Sequence, residues 1–145
     1  MQLSRAGEYA VRAMLHLAAM ENKGVSQIPA ISKIWDVPES FLRKILNSLV
    51  KAQLVISMRG TGGGFLLARA ASDITLLDIF EAIEGKVYLN QCLVGPGSCK
   101  NRTWCPVHDV WREAQKSFTD VLSRKSLADM VSNPEFKSRF EKMLE

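Results

Sequence analysis

The sequence has no long apolar run, and this absence argues against a membrane protein. None of its apolar stretches approaches the roughly 20 residues that a transmembrane helix needs. The opening segment, MQLSRAGEYA, has no apolar run followed by a small-residue cleavage site, so it does not resemble a secretion signal. Cysteine is scarce, and the odd number of three does not suit a secreted disulfide scaffold. These absences predict a cytoplasmic protein that does not bind a membrane.

Motifs that carry common enzyme chemistry are also missing. The glycines at 60 and 62–64 are followed by no Lys–Ser/Thr pair and lie in no βαβ unit, so they form neither a Walker loop nor a dinucleotide fingerprint. No C-x-x-C pair is present, as a dithiol redox enzyme would require. Internal repeats are absent as well. We therefore predict that the protein is not an enzyme.

The positive charge is concentrated in the first half of the chain. Residues 1–70 carry nine Lys or Arg and four Asp or Glu, a net charge of +5. The rest of the chain carries ten basic and eleven acidic residues, so the first half accounts for the whole excess of +4. This asymmetry is expected of a segment that binds a polyanion such as nucleic acid.

Apolar periodicity and turn residues predict a mainly α-helical chain with one small β-hairpin. Helices are expected at residues 4–20, 28–35 and 38–52, and short strands at 54–59 and 65–67, joined by a glycine-rich turn. A helix pair with a tight turn, followed by a hairpin, is the pattern of a winged helix-turn-helix. In that fold the third helix enters the major groove of DNA, while the hairpin, or wing, contacts the phosphates or the minor groove.

The predicted third helix has one apolar and one polar face. The residues expected to be buried are Phe41, Leu42, Ile45, Leu46, Leu49 and Val50, and those opposite are Ser40, Arg43, Lys44, Asn47 and Lys51. A polar helix face is more often merely solvated than functional. Here the local charge, the order of the helices and Arg59 at the wing tip agree with one another, and together they favour DNA binding.

A long helix is predicted in the second half of the chain. A helix over residues 75–84, capped by Ser72 or Asp73, comes first, and the long helix starts at Pro106 and ends near residue 122. Its apolar seam consists of Val107, Val110, Trp111, Ala114, Phe118 and Val121. Such a seam often packs on its copy in a homodimer, although it could also pack back on the first helix. The expected regions are 1–70 for DNA binding, 71–105 for a linking helix and cysteine loop, and 106–145 for dimerisation and one or two short helices.

All three cysteines and one of the two histidines lie in a single stretch rich in glycine and polar residues. Six residues separate Cys92 from Cys99, and five separate Cys99 from Cys105. His108 follows after a gap of two, and Pro106 predicts that Cys105 caps a helix, whose positive end favours a ligating thiolate. Zinc sites usually use closer pairs such as C-x2-C. The wide spacing favours an iron–sulfur cluster, with zinc and free or redox-active thiols as the alternatives.

Three further residues have expected roles, two of them beside the cysteine site and one in the first helix. Trp104 and Leu93 could shade the bound group from solvent. His16, the other histidine, falls in the middle of the first predicted helix near its apolar face. A histidine in such a position is more often structural than ligating, so His16 is predicted to be structural.

The whole chain resembles a family of bacterial winged-helix transcriptional regulators, the family that includes IscR and NsrR, and it looks most like the IscR type. The resemblance rests on three segments: LSRAGEYAVRAMLHLA for the first helix, VPESFLRKILNSLVKAQLVISMRGTGGGFLLAR for the recognition helix and wing, and CLVGPGSCKNRTWCPVHDVW for the cluster segment. It covers residues 1–131, and its motifs are specific in combination. The family implies a homodimer that binds a near-palindromic operator in double-stranded DNA and senses iron–sulfur, redox or nitric oxide status.

The same resemblance implies the ligands of a cluster. By position, Cys92, Cys99 and Cys105 are its thiolates. His108 matches the histidine that completes a [2Fe–2S] site, and it is the favoured fourth ligand. Glu8 matches an acidic ligand that other members donate from the partner subunit, so a [4Fe–4S] cluster with Glu8 is the alternative. A rival interpretation is a zinc-stabilised interaction or DNA-binding module that holds no cluster.

On the DNA side, the resemblance implies contact positions on the third helix and the wing. They are Ser40, Phe41, Arg43, Lys44, Asn47, Arg59 and Gly60.

Overall fold

The computed structural model describes residues 3–145, which form seven α-helices and one two-stranded antiparallel sheet. The helices are α1 (Arg5–Ala19), α2 (Ile28–Trp35), α3 (Glu39–Lys51), α4 (Leu76–Glu84), α5 (Pro106–Arg124), α6 (Leu127–Val131) and α7 (Pro134–Leu144). The strands are β1 (Val55–Met58) and β2 (Gly64–Leu67), and short 3-10 turns lie at Ala71–Asp73 and Gln91–Leu93. Within residues 3–145 no helix is both long and apolar enough to span a membrane.

The first three helices form most of the hydrophobic core, and their predicted positions are confirmed. The hydroxyl of Ser4 caps α1 by accepting a hydrogen bond from the Gly7 amide at 3.1 Å. Because apolar residues recur on one face of each helix, α1, α2 and α3 bury that face together. Pro38 was expected inside the third helix, but it is the N-cap residue, with non-helical backbone angles of φ −57° and ψ 133°, and α3 begins at Glu39.

The wing consists of three chain segments paired side by side, of which only two are strands. Val55 of β1 pairs with Leu67 of β2, and Met58 pairs with Gly64. On the other side of β2, Ser26 and Phe65 exchange two backbone hydrogen bonds of 2.9 and 2.8 Å. This contact ties the wing to the segment that leads into α2, so the wing has a fixed orientation relative to the helices.

The cap of α4 differs from the prediction. Thr75 caps the helix through its hydroxyl, and the carboxylate of Asp78 accepts from the Thr75 amide at 2.8 Å, which makes a capping box. Ser72 and Asp73, the predicted caps, lie in or at the end of a separate 3-10 turn. The reason is Ile74: its extended backbone places the side chain in the core, fully buried, before α4 starts.

The C-terminal half folds back on the same core. α5 packs mainly on α4 and on the turn that contains Cys92, and not chiefly on α1. Leu127 of α6 is fully buried among core residues, and its amide donates to the Ile74 carbonyl at 2.8 Å. Phe140 of α7 is buried against the imidazole of His16. The prediction of short helices in the tail is confirmed.

Candidate DNA-binding face and metal-binding loop

The exposed face of α3 carries the side chains that were predicted to contact DNA. Ser40, Phe41, Arg43, Lys44 and Asn47 are all exposed, together with Lys51. The opposite face is buried, with Leu42, Leu46 and Leu49 at 0% exposure. The helix is therefore fixed in the core by its apolar face and presents its polar face outward.

Phe41 was predicted to belong to the buried stripe, and this prediction is wrong. Its side chain is 51% exposed, and its ring lies edge-on to that of Tyr9, with 6.2 Å between the centroids. Phe41 is in the first turn of α3, beyond the edge of the core that α1 covers, so α1 offers only the rim of Tyr9 as a neighbour. An exposed aromatic ring at the start of this helix is available to contact a base or sugar.

The cations of this face have no carboxylate partners among residues 3–145. Both ion pairs that the structure describes lie on α5, where Asp109 pairs with Arg112 and Asp120 with Lys116. Arg43, Lys44 and Arg59 are in neither pair. Their charges are thus free to neutralise phosphates or to bind base edges.

The turn of the wing presents Arg59 at its tip. Gly60 and Gly62 have φ values of 94° and 77°, which side-chain-bearing residues rarely adopt, and the Gly63 amide donates to the Gly60 carbonyl at 3.0 Å. Residues 58–62 are all exposed. Arg59 and Gly60 are therefore exposed at the tip of the wing, and their contact with DNA stays a prediction.

The cysteine stretch connects α4 to α5 and is more ordered than a plain loop. Cys92 is buried in the 3-10 turn Gln91–Leu93, whereas Cys99 and Cys105 are half-buried. Cys105 is the N-cap residue of α5 with Pro106 in the first turn, as predicted. All three thiols are free.

His108 lies in the first turn of α5 and is almost fully buried, with 8% exposure. Its Nε2 accepts a hydrogen bond from Nε of Arg102 at 3.4 Å. Its Nδ1 is buried and has no hydrogen-bond partner among the described residues. A buried polar nitrogen without a partner is costly. Ligation of a metal through Nδ1 would satisfy it, but the ring proton would then lie on Nε2 and the hydrogen bond from Arg102 would be lost, because a neutral imidazole has one donor and one acceptor nitrogen.

The structure does not bring the predicted ligands together around one point. Across residues 3–145, no three His, Cys, Asp or Glu side chains converge into a group that could hold a metal ion. Glu8 is exposed in the first turn of α1. Trp104, predicted to shade the site, lies in the last turn of the loop and is 71% exposed, and Leu93 is half-buried. Their shading of the site stays a prediction.

The loop between Cys92 and Cys105 has a backbone that can rearrange. Its backbone hydrogen bonds join neighbours only: Ser98 donates to Gly95 at 3.2 Å, Arg102 to Cys99 at 3.3 Å and Cys105 to Asn101 at 2.9 Å. Each of these bonds spans three or four residues. A change in the loop would therefore break local turns without breaking the longer-range hydrogen bonds of the core.

The predicted apolar seam of α5 is partly open to solvent. Val107, Val110 and Val121 are 51%, 63% and 58% exposed, and Trp111, Ala114 and Phe118 are half-buried. A row of exposed valines on one helix face is an unusual surface for a free monomer.

Two polar residues near the loop carried no signal in the sequence. Arg102 contacts His108, and the side-chain amide of Gln115 bonds to the backbone of residues 87 and 89. Both contacts join residues that spacing rules do not connect, so no motif could have identified them.

Comparisons with known proteins agree with the architecture. The Rrf2 family, described as iron-dependent transcriptional regulators, matches residues 3–133. IscR of Klebsiella pneumoniae (strain 342), an HTH-type transcriptional regulator, is 34% identical over 135 residues, which cover 93% of this chain and 82% of that protein. IscR of Escherichia coli (strain K12 / DH10B) is also 34% identical over 135 residues, covering 93% and 83%.

Two solved structures share the fold closely. T. potens IscR superimposes with a TM-score of 0.74 and 31% identity, covering 92% of this chain and 88% of the other. CymR, the global cysteine regulator of B. subtilis, superimposes with a TM-score of 0.76 and 26% identity, covering 91% and 97%. The helices and the wing thus belong to one shared architecture.

Proposed function

This chain belongs to the Rrf2 family of transcriptional regulators, and on that premise we propose that an iron–sulfur cluster controls how tightly it binds its operator. The family makes it a DNA-binding transcriptional regulator of the IscR-like type and not an enzyme. The predicted winged helix-turn-helix fold is confirmed by the helices and hairpin and by the structural relatives. The cluster, its ligands and the homodimer belong to the proposal.

The observation that carries the cluster proposal is the unpartnered Nδ1 of His108. This nitrogen is buried in the same segment that contains all three free thiols. Thiolate and imidazole are the ligands that iron–sulfur clusters take, so the donor set fits such a group. Because the loop backbone is held by local turns, Cys99 can approach Cys92 and Cys105 without disturbing the core.

The proposed ligands are Cys92, Cys99, Cys105 and His108, which suit a [2Fe–2S] cluster. The buried position of His108, three residues after a ligand at the start of the same helix, supports it as the fourth ligand. The alternative is a [4Fe–4S] cluster completed by Glu8 of a second subunit. Glu8 is exposed on α1, so it could reach only a site that a dimer brings to it.

A bound cluster would supply a rigid link between the loop and the first turn of α5. The protein's own contacts extend from there to the DNA-binding face. Cys105 and His108 start α5, α5 packs on α4, and α4 packs on both α1 and α3. A shift in the population of loop conformations would therefore change the position of α3 relative to its copy in a dimer, whose two recognition helices must span grooves about 34 Å apart.

Anaerobic purification followed by spectroscopy tests the proposal. The wild-type protein is expected to be coloured and to contain equal amounts of iron and acid-labile sulfide. Cys92→Ala should abolish the chromophore, because it removes a thiolate that no neighbouring cysteine can replace. Retention of iron and sulfide at wild-type stoichiometry would show that Cys92 is not a ligand.

Ser98→Ala is the matched control for this experiment. It lies in the same loop and loses a hydrogen bond of 2.6 Å from its hydroxyl to the Gly95 carbonyl, but it removes no proposed ligand. It should retain the chromophore. Colourless wild-type protein that contains zinc would instead favour the zinc-stabilised module, and Mössbauer spectra of His108→Ala and Glu8→Ala would identify the cluster type and its fourth ligand.

A further inference from the structure

Gln115 makes two backbone hydrogen bonds that are unlike any other side-chain contact of α5. Its Oε1 accepts from the Leu89 amide at 2.8 Å, and its Nε2 donates to the Val87 carbonyl at 2.9 Å. The amide orientation is fixed by its partners, because a backbone N–H can only donate and a carbonyl can only accept. We name this pair of bonds the Gln115 clamp.

The clamp holds the segment that leads from α4 to the first cysteine. Residues 85–90 connect the end of α4 to the turn that contains Cys92, and Gln115 binds the middle of this segment while it is itself half-buried on α5. Cys105 and His108 lie at the start of the same helix. We call residues 85–92 the Cys92 arm. The clamp therefore fixes the position of the Cys92 arm relative to the helix that carries two of the other proposed ligands.

We propose that Gln115 is the positioning residue of the cluster site, which it organises by keeping the Cys92 arm against α5. This inference rests on the proposed function. The two halves of the loop differ in this respect: the Cys92 arm has long-range bonds to Gln115, whereas the backbone from Cys99 to Cys105 is held by local turns. Cys92 is thus the preplaced ligand, and Cys99 is the ligand that moves to join it.

Contacts at the end of α4 also connect the clamped segment to the DNA-binding half. At the end of α4, the Glu84 carboxylate accepts hydrogen bonds from the amide and the hydroxyl of Ser4, the residue that caps α1. The segment that Gln115 holds begins directly after this contact. Its position therefore affects the N-terminus of α1 as well as the Cys92 arm.

Gln115→Leu tests the proposal because it keeps the approximate size of the side chain and removes both hydrogen bonds. In cluster-free protein, amide exchange over residues 86–92 is expected to accelerate about tenfold or more, since two bonds that close the segment are lost. In anaerobically purified protein, a ferrous-iron chelator should remove iron several-fold faster than from the wild type. Gln115→Glu keeps the acceptor for Leu89 but places an oxygen against the Val87 carbonyl, so an intermediate effect is expected.

Lys116→Leu is the matched control, since Lys116 is the next residue of α5 and its ammonium pairs with Asp120 on the same helix. Lys116→Leu should change neither the rate of amide exchange nor the rate of iron release. Faster exchange in Gln115→Leu with an unchanged rate of iron release would overturn the positioning role and leave the proposed function standing. Wild-type protein that contains no iron and sulfide would overturn both the positioning role of Gln115 and the proposed function. If Gln115→Leu fails to fold, the comparison of Gln115→Glu with wild type decides between the same outcomes.

Discussion

His16 shows how a single buried residue can make the fold sensitive to pH. Its side chain is 1% exposed, its Nδ1 accepts from the Trp35 indole N–H at 3.3 Å, and its ring lies edge-on to Phe140. Burial lowers the pKa of His16 from 6.5 to about 4. The prediction that this histidine is structural agrees with its position in the core.

The lowered pKa predicts a loss of stability in acid. Between pH 6.5 and pH 4 the unfolded chain binds a proton at His16 and the folded chain does not, so stability falls as the pH decreases through this window. The expected contribution is on the order of 3 kcal/mol. His16→Gln keeps an acceptor for Trp35 but cannot titrate, and its free energy of unfolding in urea should depend less on pH than that of the wild type. Equal slopes for the two proteins between pH 6.5 and pH 4 would contradict this assignment.

At the scale of single elements, the wing offers the sharpest test of the DNA-binding face. Arg59→Ala should weaken binding to an operator selected from random duplexes, because it removes a cation from the tip of the hairpin. If Arg59 contacts a phosphate, the slope of the logarithm of affinity against that of salt concentration should fall by about 0.9. Arg139→Ala removes the same charge from the exposed side of α7 and should leave both quantities unchanged. If Arg59→Ala leaves the affinity and the salt slope unaltered, Arg59 does not contact DNA.

The elements that could be predicted from the sequence are those that local patterns determine. α1, α2 and α3 were predicted within one or two residues because their apolar residues repeat at helical spacing and because Ser4 and Gly24 stand at the ends of the first pattern. The wing could be predicted from the glycines of its turn. In each case the residues that determine the element are close together in the sequence.

The failures arose where distant contacts determine the outcome. The start of α4 is set by the burial of Ile74 among residues of other helices, which no local rule anticipates. Phe41 fits the apolar period of α3, but the core ends before it. The two hydrogen bonds of the Gln115 clamp join residues that are 26 and 28 positions apart in the sequence. The order of the Cys92 arm could therefore not be predicted from periodicity either.

At the scale of the whole molecule, the DNA-binding half and the C-terminal half share one core. Leu127 packs among residues of that core, and α7 places Phe136 and Phe140 against Trp35 at the end of α2. The expected division at residues 70 and 105 is therefore best understood as a proposal about function. A conformational change in the loop would be transmitted through packed helices and not through a flexible linker.

The valine row of α5 is an apolar surface that is exposed in the single chain, and we propose that a second copy of the chain covers it. Val110→Glu places a charge in the middle of that row, where burial against a copy would be costly. We expect sedimentation equilibrium to give a mass near 16.2 kDa for this variant and twice that for the wild type. Operator affinity should fall steeply, since two recognition helices would no longer bind as one unit.

Ser123→Glu is the control for this change, because it introduces the same charge on the exposed opposite side of α5. It should remain a dimer with wild-type affinity. A Val110→Glu protein that stays dimeric would show that the interface uses another surface. In that event the route from the loop through α5 to a pair of recognition helices would also be wrong, because the distance between those helices depends on how the two copies of α5 meet.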